Sequence, residues 1–115
     1  MTPIPDGGLT SPEYHVLLAI AEGPLHGYAI RDAVEADSRG VLTPRAGSLY
    51  RVIARLTTAG SLVETDAPPA AEPHPGRPRR YYELTADGRA TLADETARLK
   101  AATTLAADRL RVRRS

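Results

Sequence analysis

One segment, residues 45–60, has the clearest amphipathic pattern in the chain. At about 100° per residue of an α-helix, its apolar side chains share one side, and these are Leu49, Val52, Ile53 and Leu56. Ser48, Arg51 and Arg55 share a neighbouring side, and the segment contains no acidic residue. The pattern predicts a helix that packs inward and offers hydrogen-bond donors to an acceptor-rich partner. The alternative is an ordinary solvated face beside a core stripe.

Two shorter helices are predicted before this segment. Thr10 and Glu13 have the spacing of a capping box at the start of the first helix, which covers residues 9–22. Its inward side chains are predicted to be Tyr14, Leu17, Leu18 and Ala21. The second helix begins at residue 26 and closes near residue 40. Its inward side chains are predicted to be Ala29, Ile30, Ala33 and Val34.

The amphipathic segment has boundary signals of its own. Thr43 is predicted as its cap, Pro44 as its first helical position and Gly60 as a left-handed C-cap. The periodicity then changes to two over residues 62–66 and again over residues 80–84, which predicts a pair of antiparallel strands. The loop between them contains half of the chain's ten prolines, so we do not expect it to be sheet.

A long final helix is predicted from residue 86 to about residue 112, with Thr85 as its cap. Apolar and small side chains repeat along it at spacings of four and three, and these are Leu92, Thr96, Leu99, Thr103, Ala106 and Leu110. Two interpretations stay open, an alanine-rich helix lying on its own domain or a seam covered by a second copy of the chain. We favour a twofold dimer, because the helix is longer than a domain of this size needs.

Composition limits the class of protein. At 115 residues the chain is long enough for one domain with a modest core. It contains no cysteine, which excludes disulfides, thiolate nucleophiles and cysteine zinc sites. No stretch approaches the roughly 20 apolar residues of a membrane span, and the first residues do not resemble a targeting signal. We therefore expect a soluble, cytoplasmic protein.

The net charge is only +1, but the charges are segregated along the chain. Residues 1–44 contain six acidic residues and two arginines, whereas residues 45–80 contain six arginines and three acidic residues. Four more arginines lie in the last seven residues. A local basic cluster on a nearly neutral protein is what a phosphate-binding surface requires.

The order of these elements predicts a mainly α (α+β) fold, a winged helix-turn-helix with a two-stranded wing. Residues 1–85 would form the DNA-binding domain, and residues 86–115 the dimerisation helix with a basic tail. The third helix would enter the major groove of double-stranded DNA. The predicted contacts are Ser48, Tyr50 and Arg51 in the groove, Arg55 at its rim, and His74, Arg77, Arg79 and Arg80 from the wing to the backbone or minor groove.

These residues resemble the PadR-like family of transcriptional regulators, in the short type with one C-terminal helix. The motifs that carry the resemblance are His26-Gly27-Tyr28, Gly47-Ser48-Leu49-Tyr50, Arg55-Leu56, Ala59-Gly60, residues 76–82, Leu84-Thr85 and Gly88-Arg89. Arg51 departs from the pattern, since many members have proline after the tyrosine. The resemblance implies a homodimeric repressor on a palindromic operator. In many relatives a small planar effector that binds near the dimer interface releases the DNA.

Other chemistry has less support. The three histidines lie in separate elements without the spacing of metal ligands, and Asp94 and Glu95 lie on a predicted exposed face. We therefore expect no metal, no cofactor and no enzymatic activity. The competing interpretation is a winged-helix module whose arginines face an acidic protein. Two single features have alternatives of their own: Tyr50 as a half-buried packing residue and the wing as a solubilising loop.

Overall fold

The structure, a computed structural model, describes residues 8–69, 71 and 79–114. In these residues the elements are α1 (Ser11–Ala19), β1 (Leu25–His26), α2 (Gly27–Asp37), α3 (Ala46–Thr58), β2 (Leu62–Thr65), β3 (Tyr81–Leu84) and α4 (Ala86–Arg114). The first three helices share one hydrophobic core with the sheet and the first turns of α4. The rest of α4 extends away, so the described chain measures 60 × 33 × 26 Å.

The capping box predicted for α1 is confirmed. Thr10 Oγ1 accepts a hydrogen bond from the Glu13 N–H (3.3 Å), and the Glu13 carboxylate accepts one from the Thr10 N–H (2.8 Å). The helix ends at Ala19, three residues before the predicted end, and Leu18 is exposed rather than inward. Leu18 was misplaced because the buried stripe of α1 starts one residue earlier, with Glu13, Val16, Leu17 and Ile20.

α2 lies in the predicted region, whereas the sheet has one strand more than predicted. Ile30 and Val34 are buried on the inner face of α2. Just before α2, the two residues of β1 pair antiparallel with β3, Leu25 with Tyr82 and His26 with Tyr81. The described sheet therefore has three strands in the order β1-β3-β2 rather than two. A strand of two residues is too short for alternation to be visible in the sequence.

The prediction for the start of α3 is wrong. Its N-cap is Arg45, which is extended and makes no side-chain cap, so Thr43 and Pro44 lie before the helix. Leu42 packs against the core and its N–H donates to Ser38 Oγ (3.0 Å). Anchoring of this loop, rather than the Thr-Pro signal, thus determines where α3 begins.

The buried face and the end of α3 agree with the prediction. Its four inward side chains are at most 7% exposed, and these are Leu49, Val52, Ile53 and Leu56. Gly60 is left-handed (φ 81°). The Ser61 N–H donates to the Leu56 carbonyl (2.9 Å) and the Gly60 N–H to the Thr57 carbonyl (3.0 Å), which is the Schellman motif.

The start of α4 lies against this helix end, and we call the contact the α3–α4 junction (Gly60, Ser61, Thr85 and Gly88). Thr85 Oγ1 donates to the Gly60 carbonyl (2.6 Å) and accepts from the Gly88 N–H (2.9 Å), so Thr85 caps α4 as predicted. The Thr85 N–H donates to the Ser61 carbonyl (3.2 Å). A Cβ at Gly88 would overlap that same carbonyl oxygen. Gly88 is therefore required by a close backbone approach.

Most of α4 has no cover from the part of its own chain that the structure describes. Every side chain from residue 96 to residue 111 is exposed, so the helix does not lie along its own domain over its full length. The predicted seam needs one correction. Leu92 is only 8% exposed and belongs to the core of its own protomer, because the first turns of α4 pack there. Thr96 Oγ1 lies 2.8 Å from Tyr14 Oη of the same chain.

We expect Gly88→Ala to lower the free energy of unfolding by about 2 kcal/mol or more, because the new Cβ has no room beside the Ser61 carbonyl. Gly47→Ala is the matched control in α3. A Cβ at Gly47 meets nothing within 4 Å, and alanine favours a helix by up to about 1 kcal/mol over glycine. Urea unfolding followed by circular dichroism measures both variants. Equal midpoints would contradict the steric role of Gly88.

Candidate nucleic-acid interface

The exposed face of α3 carries hydrogen-bond donors, as predicted. Ser48, Arg51 and Arg55 are exposed, and Tyr50 is 48% exposed. No acidic residue lies in α3. Arg51 has no hydrogen-bond or ion-pair partner among the described residues. Its guanidinium group is therefore available to an outside acceptor.

Arg55 has a partner that the sequence pattern did not indicate. Its Nε lies 3.5 Å from Glu13 Oε2, and the Arg55 side chain is 56% exposed whereas that of Glu13 is 9% exposed. The carboxylate that caps α1 thus also pairs with an arginine of α3. The capping pattern identified Glu13 by its spacing to Thr10 alone, because local periodicity carries no information on partners far along the chain.

The ring of Tyr50 lies on the start of α2. A Cβ at Gly27 would lie 2.6 Å from Tyr50 Oη, so the phenol occupies the place of a side chain there. Tyr50 is also close enough to Tyr82 to act on its pKa. The ring therefore rests on the protein while about half of the side chain stays exposed. A contact of the Tyr50 hydroxyl with DNA remains a prediction.

The base of the β2–β3 hairpin is basic. Arg79 and Arg80 are both exposed, and Arg79 Nη1 lies 2.8 Å from Nε2 of His26, the residue that precedes α2. Arg80 Nε lies 3.9 Å from Glu64 Oε1 on the neighbouring strand. The other two predicted wing contacts, His74 and Arg77, lie outside the described residues.

These contacts place three elements side by side. Tyr50 connects α3 to the start of α2, and His26 connects the start of α2 to the hairpin. On the exposed side of α2, Arg31 Cζ lies 5.5 Å from the ring centroid of Tyr28, a cation–π contact. Neither His26 nor Tyr28 was predicted as a site residue, although both belong to a motif that carried the family resemblance. The arrangement is a donor-rich surface across α3, the start of α2 and the base of the hairpin.

Three helices, a hairpin beside the third helix and exposed donors on that helix define a winged helix-turn-helix. The chain matches the Transcriptional regulator PadR-like family over residues 16–94. It belongs to this family, whose members are DNA-binding transcription regulators and not enzymes.

Solved structures share the fold. A PadR-like transcriptional regulator from Bacillus cereus superposes with a TM-score of 0.70 at 19% identity, over 85% of this chain and 89% of that one. Bacillus subtilis PadR in complex with operator DNA gives 0.59 at 20% identity, over 73% of this chain and 45% of that one.

A curated relative matches a shorter segment. It is an uncharacterized 37.1 kDa protein in transposon TN4556 of Streptomyces fradiae, 58% identical over 41 residues. The match covers 36% of this chain and 11% of that protein. The chain thus corresponds to a small part of this relative's length.

Two kinds of feature are absent from the described ranges. No helix in them is both long and apolar enough to cross a membrane. The same residues contain no cluster of three or more histidine, aspartate or glutamate side chains that could hold a metal ion.

We expect Tyr82 to ionise at a higher pH than an ordinary tyrosine side chain. Burial raises its pKa above 10.0, the Glu64 carboxylate raises it further, and Arg80 opposes the shift. Because the folded state then holds the phenolic proton more tightly than the unfolded state, the free energy of unfolding falls as the pH rises through and above 10.0. Alkaline unfolding of the wild type and Tyr82→Phe measures this loss.

Ultraviolet titration of the tyrosinate signal identifies the group. Tyr82→Phe should remove a phase whose midpoint lies above pH 10.0. A titration curve that keeps this phase in Tyr82→Phe would contradict the assignment.

Proposed function

We propose that the chain is a homodimeric repressor that binds a palindromic operator with α3 in the major groove. The observation that carries this proposal is the exposed donor face of α3, where Arg51 has no partner among the described residues. Operator DNA bound to Bacillus subtilis PadR, a protein of the same fold, supports duplex DNA as the partner. Such a repressor acts on DNA in the cytoplasm, where we place the protein.

We assign base reading to Arg51, with Ser48 and Tyr50 beside it. A guanidinium group can donate two hydrogen bonds to the O6 and N7 acceptors of guanine, which distinguishes that base from the others. Arg55, one turn further along α3, is assigned to the DNA backbone at the rim of the groove. The wing arginines are assigned to the backbone or the adjacent minor groove. The wing arginines are Arg77, Arg79 and Arg80.

We assign the dimer contact to the exposed part of α4. Leu99 is 41% exposed and Leu110 is 63% exposed, and together with Thr103 and Ala106 they follow the spacing of a helical seam. A twofold axis along this seam would present two copies of α3 to successive turns of the major groove, about 34 Å apart. Residues 86–115 would then be the dimerisation unit and residues 1–85 the DNA-binding unit.

The proposal includes a small planar effector that binds near the dimer interface and releases the DNA. We place this effector in an open groove of about 230 Å³ between the start of the described chain and α4. It adjoins the seam, and its lining includes Thr91, Asp94, Glu95 and Arg98. Titration calorimetry with planar aromatic compounds, in the presence and absence of DNA, tests this extension.

We expect Arg51→Ala to weaken operator binding about 10-fold to 100-fold and to relax the base preference at one position of each half-site, because one bidentate contact is lost. Lys100→Ala removes a positive charge from the exposed part of α4 and is the control. Selection of bound DNA fragments identifies the operator, and electrophoretic shifts at several salt concentrations measure the affinities.

The protein-interaction alternative has a distinct outcome in the same experiment. If Arg51→Ala binds the selected DNA as tightly as the wild type, the donor face serves another partner. If the wild type selects no DNA at low salt, the proposed function is wrong. Affinity that is independent of salt would contradict the phosphate contacts of Arg55 and the wing.

We expect Leu99→Asp to dissociate the dimer, because it places a charge in the predicted seam. Leu105→Asp is the matched control. Leu105 is 51% exposed on the same helix, but it lies about 120° around the axis from Leu99. Sedimentation equilibrium measures the monomer fraction of each variant. Equal dissociation by both substitutions, or by neither, would overturn the assigned seam.

A further inference from the structure

We infer that Glu13 is a positioning residue for the DNA contact of Arg55, which gives α1 a part in operator binding. The inference deepens the proposed function and rests on it. The observation is the pair itself, in which a buried carboxylate of α1 lies 3.5 Å from an exposed guanidinium of α3. A positioning residue in this sense acts on the DNA through Arg55 and does not touch the DNA.

The two oxygens of Glu13 have separate partners. Oε1 accepts the Thr10 N–H at 2.8 Å, and Oε2 faces Arg55 Nε. The capping contact holds the carboxylate in one orientation, so Oε2 presents a stationary negative charge to α3. Glu13 can thereby restrict the rotation of the long Arg55 side chain.

The pair leaves the outer part of Arg55 available. Arg55 Nε lies 3.5 Å from Glu13 Oε2, and the two terminal amino groups of Arg55 make no hydrogen bond within the described residues. Because only 9% of the Glu13 side chain is exposed, against 56% of the Arg55 side chain, a phosphate that approaches from solvent meets Arg55 first. The geometry fits an arginine held at Nε for donation through its terminal nitrogens.

This arrangement should affect binding more than folding. Water reaches the Arg55 side chain, which is 56% exposed, and screens its charge from Glu13, so we expect the pair to contribute little to the stability of the protein. An arginine that is already oriented loses less rotational freedom when it meets a phosphate. Arg51, which has no such partner, retains its freedom to adapt to a base edge.

Glu13→Gln separates the two contacts of the carboxylate. Glutamine serves in a capping box as well as glutamate does, because its amide oxygen accepts the same N–H. It has no charge with which to hold Arg55. Thr10→Ala is the matched control, since it weakens the cap and leaves the Glu13–Arg55 pair in place.

For Glu13→Gln we expect operator binding to weaken about threefold to tenfold, the range for ordering one long side chain on binding. Thr10→Ala should lower the unfolding midpoint and change operator affinity less than about twofold. In the Arg55→Ala background, Glu13→Gln should cause no further loss of affinity, because the two residues act through one contact. Electrophoretic shifts on the selected operator measure the affinities of the wild type and of the four variants.

Arg55→Lys tests the same contact at its exposed residue, where a substitution should not disturb folding. Lysine keeps the charge but has only one nitrogen, so it cannot face Glu13 and a phosphate through separate groups. We expect it to lose as much affinity as Glu13→Gln. A fully retained affinity in Arg55→Lys would overturn the inference.

Two further results would also overturn it. The first is operator binding by Glu13→Gln that equals or exceeds wild-type binding. The second is a loss of operator affinity from Glu13→Gln that is as large in the Arg55→Ala background as in the wild type. In both cases the wild type still binds the operator, so the proposed function stands.

The Arg55 Nε–H resonance reports on the pair without DNA. It should shift in Glu13→Gln and stay in place in Thr10→Ala, and a resonance that does not respond to Glu13→Gln would overturn the inference independently. A wild type that binds no DNA overturns the proposed function, and the inference with it, even if the resonance shifts.

Discussion

The backbone contact at the α3–α4 junction determines how α4 is oriented relative to the donor face of α3. Gly60 turns the chain out of α3 in a left-handed conformation, and Thr85 bonds to the carbonyls of both Gly60 and Ser61. The missing side chain of Gly88 lets α4 begin directly on this turn. A displacement here would move α4 relative to the donor face of α3. The direction in which α4 leaves the core therefore depends on a few backbone atoms.

The donor surface depends on a second set of close contacts. The α3 helix needs a buried stripe to hold it, and the same stripe leaves Arg51 and Arg55 on the outside. Gly27 makes room for the Tyr50 ring, which brings the start of α2 next to α3. In a family of DNA-binding regulators, this packing explains how a chain with a net charge of only +1 can present a concentrated basic surface.

Features of the fold that depend on near neighbours in the chain were predictable. The capping box of α1, the buried side chains of α3 and the left-handed Gly60 each follow from residues within one or two helical turns. The errors arose where distant parts of the chain compete with such signals. Pro44 was predicted as the first residue of α3, but it lies in the anchored loop before the helix. Leu92 was assigned to the contact with a partner, but it is buried in the core of its own protomer. The strand β1 exists only because β3 pairs with it.

The sequence by itself determined which side chains of α3 face outward, because helical periodicity separates apolar from polar positions whatever surrounds the helix. It also indicated the family through a series of short motifs. Only the tertiary structure decided which of those outward side chains have partners. Arg51 and Arg55 share one polar face of α3 in the sequence pattern, yet Arg55 pairs with the Glu13 carboxylate and Arg51 has no hydrogen-bond or ion-pair partner among the described residues. That difference requires α1 and α3 to be packed together, and such a contact leaves no periodic trace along the chain.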